Sequence, residues 1–274
     1  MRFRSLAVLL TLALAGCATT TRTSSSWTKL FVFGDSYSDS GAGYVDGNGP
    51  TAVVYLAQGL GIPFTYATDP NRDHKGLNFA VSGAQTGWGN GRHVKQALLG
   101  RGMRNQVQDF VARAKSGEIT FDPATTLFFL AGGLNDRKFP TETTISNLEE
   151  EMKELYAAGA RHFSVALLPT KIRQFADVGK RLDPALAQIP ATFHLDGATI
   201  QLSLWGEFYD EVMDHAQQYG ITNTRDACAG RRIFNQDPTP KGDPATYFFY
   251  HEGHPSTAVH RIVGEKMVRE MGEK

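Results

Sequence analysis

Charge of one sign is what this 274-residue sequence has least of: 28 Lys and Arg balance 28 Asp and Glu, with no long run of either sign. A nucleic-acid partner needs a concentrated positive face, so that class is excluded. Cysteine is nearly absent, with only Cys17 and Cys228. The apolar run from Leu6 to Leu14 is too short to span a bilayer. There is no internal repeat and no Gly-x-x-x-x-Gly-Lys-Ser/Thr phosphate loop, although Gly41–Gly49 and Gly87–Gly91 are glycine-rich. Those two stretches read as mobile walls around a site.

The N-terminus carries Met1-Arg-Phe-Arg, then the Leu6–Leu14 run, then Leu14-Ala-Gly-Cys17. A charged start, a short apolar core and a small-residue cleavage zone form an export signal over residues 1–16. The Leu-Ala-Gly-Cys ending resembles the lipobox of bacterial lipoproteins. That resemblance implies that Cys17 becomes the first residue and is acylated on its sulfur and amino group, and several chains hold a protein stably on a membrane. Ala18, where Asp would imply retention, then implies the outer membrane. The alternative is a periplasmic or secreted protein with a cysteine at that place. Residues 17–27, rich in Thr and Ser, read as a flexible tether. With Cys17 lipidated Cys228 has no partner, and a disulfide framework is excluded despite the oxidising compartment.

Residues 28–274 are enough for one large α/β domain. Lys29–Phe33 is a continuous apolar run bounded by glycine, the pattern of a strand buried on both faces. Similar runs occur at Leu77–Val81, Thr126–Ala131, Phe163–Leu168 and, more weakly, Ile221–Thr224. Helical periods lie between them: Val107, Phe110, Val111 and Ala114 share one face, as do Ile145, Leu148, Met152 and Leu155. A third helix is expected over Ile200–Tyr219 and a fourth from near Pro255 with Val259, Ile262, Val263 and Met267. Alternating strands and helices predict a five-stranded, mainly parallel sheet covered on both sides, with functional residues at the carboxyl ends of the strands.

Three of the apolar runs lead into unusual loops: Gly34-Asp-Ser36, Asn78-Phe-Ala-Val-Ser-Gly83 and Gly132-Gly-Leu-Asn135-Asp136. His251-Glu-Gly-His254-Pro255 follows near the C-terminus. Singly each has a bland reading: Ser36 as a helix cap, Gly83 and Asn135 as turn residues, His254 as a satisfied surface histidine. Together they supply a hydroxyl nucleophile, a base, and donors for an oxyanion, the parts of an acyl-transfer site. A serine hydroxyl needs a base to take its proton, and His is suited to that near neutrality.

In this order the blocks resemble the GDSL, or SGNH, lipases and esterases, from about Leu30 to the C-terminus. The resemblance implies a three-layer α/β/α, flavodoxin-like fold. It implies Ser36 as nucleophile, His254 as general base, and an oxyanion hole from the Ser36 and Gly83 N–H groups and the Asn135 side chain. Asp35 and Asp136 are expected to support these loops.

One position departs from the family pattern. The acid usually stands three residues before the histidine, where this chain has His251. Glu252 is taken to orient His254 instead. A backbone carbonyl in a Ser-His dyad and Asp243 remain open alternatives. A metal at His251 and His254 is disfavoured, because Pro255 opposes a helix there and the spacing differs from His-Glu-x-x-His. His260 is expected on the surface of the last helix. No metal or cofactor is called for. The expected reaction is hydrolysis of short-chain or acetyl esters, with Trp88 and Tyr44 available to stack on a saccharide. Phospholipase or lysophospholipase activity, acyl transfer to another acceptor, and a binding lipoprotein that has lost catalysis are the alternatives. The oligomeric state is not specified by the sequence.

Overall fold

The computed structural model describes residues 27–272. The export signal, Cys17 and most of the tether lie outside the described residues. Trp27, the last residue assigned to the tether, meets His162 edge-on with ring centroids 5.2 Å apart.

The chain runs β1 (Lys29–Gly34), α1 (Ala52–Gly59), β2 (Thr65–Tyr66), β3 (Gly76–Asn78), β4 (Asn90–Val94), β5 (Ala97–Arg101), α2 (Met103–Lys115), β6 (Thr126–Ala131), α3 (Thr141–Ala157), β7 (His162–Ala166) and α4 (Ala176–Leu186). It continues through α5 (Ile189–Thr192), β8 (Thr199–Ser203), α6 (Trp205–Asp214), β9 (Asn223–Ala227), β10 (Tyr247–His251), β11 (His254–Pro255) and α7 (Thr257–Gly272). Six strands form one sheet in the order β2-β3-β1-β6-β7-β8, and every pairing in it is parallel. Its centre is buried on both faces, with Leu30 to Phe33 and Leu127 to Leu130 fully enclosed, as expected when helices cover both sides. One layer holds α2, α3 and α4, and the other α1, α6 and α7.

The helices form where apolar residues recur at helical spacing. In α2 the buried stripe is Met103, Gln106, Val107, Phe110 and Val111, and Phe110 meets Phe31 of β1 at a centroid distance of 4.8 Å. On the opposite layer α1 and α7 cross closely, since a Cβ at Gly264 would lie 2.5 Å from Tyr55 and 2.7 Å from the Ala52 carbonyl. That crossing fixes the start of α7, and therefore the histidine just before it.

The sheet has six strands where the sequence suggests five. Thr199–Ser203, expected as the start of a helix, is edge strand β8, and the helix begins at Trp205. The segment alternates, with Ile200 and Leu202 apolar around Gln201, a period-two pattern that the helical stripe beyond it masks. Ile221–Thr224 does not join the main sheet. Its second half opens β9, which pairs with β10 in a separate three-stranded sheet with β11. Strands β4 and β5 form a hairpin apart from both sheets.

Order and direction explain where the loops converge. From β1 the chain goes to β2 and β3 on one side, then crosses to β6 on the other. The winding reverses at β1, and in open parallel sheets the crevice for a ligand lies at such a reversal. The loops after β1, β3 and β6 therefore open side by side.

Candidate active site

Ser36 lies just past the carboxyl end of β1, 6% exposed. Its Oγ is 2.8 Å from Nε2 of His254, which is 218 residues away in sequence. Gly83, after β3, and Asn135, after β6, line the same cleft of about 590 Å³ as Ser36 and His254. Among the described residues neither the Ser36 nor the Gly83 N–H donates to a protein acceptor, which leaves both free for a ligand oxygen. The Asn135 amide donates one hydrogen to the Ala84 carbonyl at 2.9 Å and keeps its second. Gly83 has φ +78°, a left-handed conformation that a side chain would strain.

The nucleophile loop is fixed from three directions. Gln106 of α2 brackets Gly34, accepting its N–H at 3.0 Å and donating to its carbonyl at 2.9 Å. Asp39 accepts N–H groups from Gly41, Gly43, Tyr44 and Ser82, which ties the loop after β1 to the Gly83 loop. Fully buried Tyr37 donates its hydroxyl to the Gly253 carbonyl at 2.7 Å, locking the serine loop to the histidine turn.

Asp35 and Asp136 stand behind the site. Asp35 is buried and accepts the Tyr37 N–H at 3.1 Å. Burial, with Asp136 and Asp39 nearby, lifts its carboxyl to about 7 against the pull of that bond. Asp136 accepts from the Thr86 N–H at 3.1 Å and the Thr144 hydroxyl at 2.9 Å, which pins the Gly83–Gly87 segment to α3.

At the histidine the structure differs from the expected arrangement. Strands β10 and β11 form a hairpin with His251 opposite His254 and a two-residue turn in which Gly253 has φ +72°. That turn points the Glu252 side chain into solvent, and it is the Glu252 main-chain carbonyl that lies 3.0 Å from His254 Nδ1. The expectation that the Glu252 carboxylate orients His254 therefore gives way to the backbone-carbonyl arrangement. Asp243 is exposed and bonds the Ala245 N–H.

Two residues that the sequence reading did not single out complete this end. Asp46, in the loop between β1 and α1, places Oδ1 2.8 Å from His251 Nδ1 and 2.9 Å from Arg231 Nε, and Oδ2 3.3 Å from His254 Nε2. Burial works to raise the Asp46 carboxyl, but His254, His251 and Arg231 together hold it below the usual carboxylate range. Arg231 donates to the Glu252 carbonyl at 2.7 Å and lies 2.5 Å from His254 Nδ1. The carbonyl accepts from a protonated Nδ1 and the guanidinium donates to a bare one, so the two contacts belong to different tautomers. Burial pushes the His254 pKa down, Asp46 pulls it up and Arg231 pushes it down again. No spacing signal marks either residue: Asp46 comes from a loop near the other end of the chain, and Arg231 stands 23 residues before His254 in a loop of irregular structure.

Tyr44 lines the cleft and stacks on His251, whereas Trp88 stands outside its lining, 62% exposed and under the Arg104 guanidinium. Hairpin β4–β5 forms one wall through Arg92 and Leu99, and the 231–235 segment forms another through Ile233 and Phe234. Lys95 at the hairpin tip bonds the Arg232 carbonyl at 2.7 Å, linking the two walls. His260, expected on a helix surface, is buried on α7 and bonded to the Tyr209 hydroxyl at 2.8 Å. Burial drives its pKa to about 3, so it stays neutral. No cluster of three or more potential metal ligands occurs among the described residues.

A serine within hydrogen-bond reach of an imidazole, facing free N–H donors in an open cleft, can attack a carbonyl and hold the oxyanion that results. The chain is similar to a thermolabile hemolysin of Vibrio parahaemolyticus, 26% identical over 285 residues, covering 88% of this chain and 63% of that protein. The chain thus spans less than two thirds of that relative. Among solved structures it is similar to a G-D-S-L family lipolytic protein of Veillonella parvula, with 14% identity, 88% of this chain and 96% of that one covered, and a TM-score of 0.48. It is also similar to a protein of Bacillus subtilis, with 14% identity, 90% and 56% covered, and a TM-score of 0.48. The model of the GDSL-like lipase/acylhydrolase family matches residues 30–267, and the chain belongs to that family.

Proposed function

We propose that the protein hydrolyses carboxylic esters through a Ser36 acyl-enzyme. The 2.8 Å contact between Ser36 Oγ and His254 Nε2, beside unoccupied N–H donors, carries this reading. With its proton on Nδ1 and directed at the Glu252 carbonyl, His254 accepts the Ser36 proton at Nε2 as Oγ attacks the ester carbon. The Ser36 and Gly83 N–H groups and the Asn135 amide hold the oxyanion. The carbon–oxygen bond to the alcohol then breaks, His254 gives that oxygen the proton, and water releases the acyl group by the same steps in reverse.

The substrates proposed are short-chain or acetyl esters. Among the described residues no long apolar segment covers the cleft, which suits a small acyl group, and Tyr44 at the wall suits a sugar alcohol. A second reading, a lipid ester, is favoured by Phe234, 42% exposed beside the cleft, and by the hemolysin relative. The protein is further proposed to be exported and anchored by lipid on Cys17 to the outer membrane. Chromogenic esters from acetyl to palmitoyl, assayed with wild type and Ser36→Ala, decide among these readings. Ser36-dependent turnover that peaks at the shortest chains supports the first, and a peak at long chains supports the second. Hydrolysis that survives Ser36→Ala, or none with any ester, overturns the acyl-enzyme.

A further inference from the structure

We propose that Asp46 supplies the negative charge that the family's histidine motif lacks here, and that it does so from the Nε2 side of His254, where it stabilises the imidazolium formed during attack. The proposal rests on the Ser36–His254 pair acting as described above.

Geometry and timing carry the argument. The Nδ1 side of His254 is taken by a neutral carbonyl and a cation, the Glu252 oxygen at 3.0 Å and Arg231 Nη2 at 2.5 Å. Neither adds negative charge, and the cation opposes a positive ring. Asp46 is the carboxylate in contact with the ring, 3.3 Å from Nε2. In the resting tautomer Nε2 is bare, so this contact adds nothing favourable. Once Nε2 has taken the Ser36 proton, it becomes a charge-assisted N–H···O contact. An interaction gained only on the way to the transition state raises turnover without tightening substrate binding.

Asp46 is built to remain in place and ionised. It is buried, and its other oxygen is held by His251 at 2.8 Å and Arg231 at 2.9 Å. His251 stands where the family motif places its acid; here it holds the replacement carboxylate instead. The charged and titratable groups around the ring are Asp46 from the β1–α1 loop, Arg231 before β10, His251 on β10, the exposed Glu252 at the turn, and His260 on α7, which stays neutral. Tyr37 and Phe175 pack on the ring as well.

Asp46→Asn should lower kcat by on the order of 10²–10⁴-fold with KM little changed, the upper figure being the loss when a serine protease loses its triad acid. Because Asp46 raises the His254 pKa and catalysis needs neutral His254, the acid limb of kcat/KM should move to lower pH in Asp46→Asn. Arg231→Gln should move it to higher pH. Loosening of the site alone would reduce the rate with the limb unmoved, and that result overturns the proposal, as does wild-type kcat in Asp46→Asn. Should Asp46→Asn fail to fold, the double variant Asp46→Asn/Arg231→Gln leaves no unpaired charge; it should still show the loss of kcat, and full turnover there overturns the proposal. Titration of the His254 ring by NMR separates this idea from the acyl-enzyme reading. A pKa that drops in Asp46→Asn supports the role of Asp46 and an unchanged one refutes it, whereas Ser36-independent hydrolysis refutes the acyl-enzyme alone.

Discussion

Glu151 offers a quantitative test of how the wall behind the site is held. It sits fully buried on α3, on a stripe that is otherwise mostly apolar. Its Oε1 accepts the Gly87 N–H at 3.0 Å, and its Oε2 meets no partner. Burial lifts the carboxyl to about 8, against an ordinary 4.5, despite the Gly87 bond. Between these values the unfolded chain has lost the proton and the folded protein keeps it. The stability from this group is therefore fully present below about pH 4.5 and is lost as pH rises to about 8, at about 1.4 kcal/mol per pH unit. Glu151→Gln does not titrate. Its amide places an NH₂ where Oε2 has no partner, a pH-independent cost of about 1–3 kcal/mol. Urea unfolding of both proteins at about pH 5.5 and about pH 7.5 should show the advantage of wild type over the variant falling by roughly 3 kcal/mol. Asp35 titrates in both proteins and cancels. An advantage equal at the two pH values would refute a protonated, buried Glu151.

Asn135→Ala should reduce kcat by on the order of 10²–10³-fold with KM nearly unchanged, since one oxyanion donor contributes about 3 kcal/mol to barrier lowering; steady-state kinetics on an acetyl ester measures it. Tyr37→Phe leaves the buried Gly253 carbonyl without its donor, so denaturant unfolding should show a loss of about 1–3 kcal/mol, and kcat should fall as the histidine turn loosens. Glu252→Gln should change kcat by no more than about twofold, as expected for an exposed side chain whose main-chain oxygen does the work; a large loss, measured across the pH range, would restore the carboxylate as the orienting group.

The parts of the site that were legible in sequence are those where chemistry follows directly on a buried strand. Ser36 comes two residues after β1 and Asn135 four after β6, so an apolar run followed by a polar loop marks each place. His254 announces itself by proximity to a helix start. Asp46 gives no such signal, because a carboxylate in a glycine-rich loop reaches the histidine only through tertiary packing across more than two hundred residues. Tertiary packing also places Arg231, which meets the Glu252 carbonyl and His254, and Tyr37, which meets the Gly253 carbonyl. Glu252 looked like the nearest acid in sequence, but the Gly253 turn sends its side chain outward and its carbonyl inward. Local spacing misled again at β8, where a short edge strand runs directly into a helix, and at His260, whose burial depends on a Tyr209 hydroxyl that sequence periodicity does not reveal.

Whether Ser36 and His254 form one reactive unit is read out by labelling with a fluorophosphonate followed by mass analysis. A single adduct should form on Ser36, be absent in Ser36→Ala, and form at least about 10³-fold more slowly in His254→Ala. An adduct on another residue, or labelling of Ser36 at the wild-type rate without His254, would contradict it.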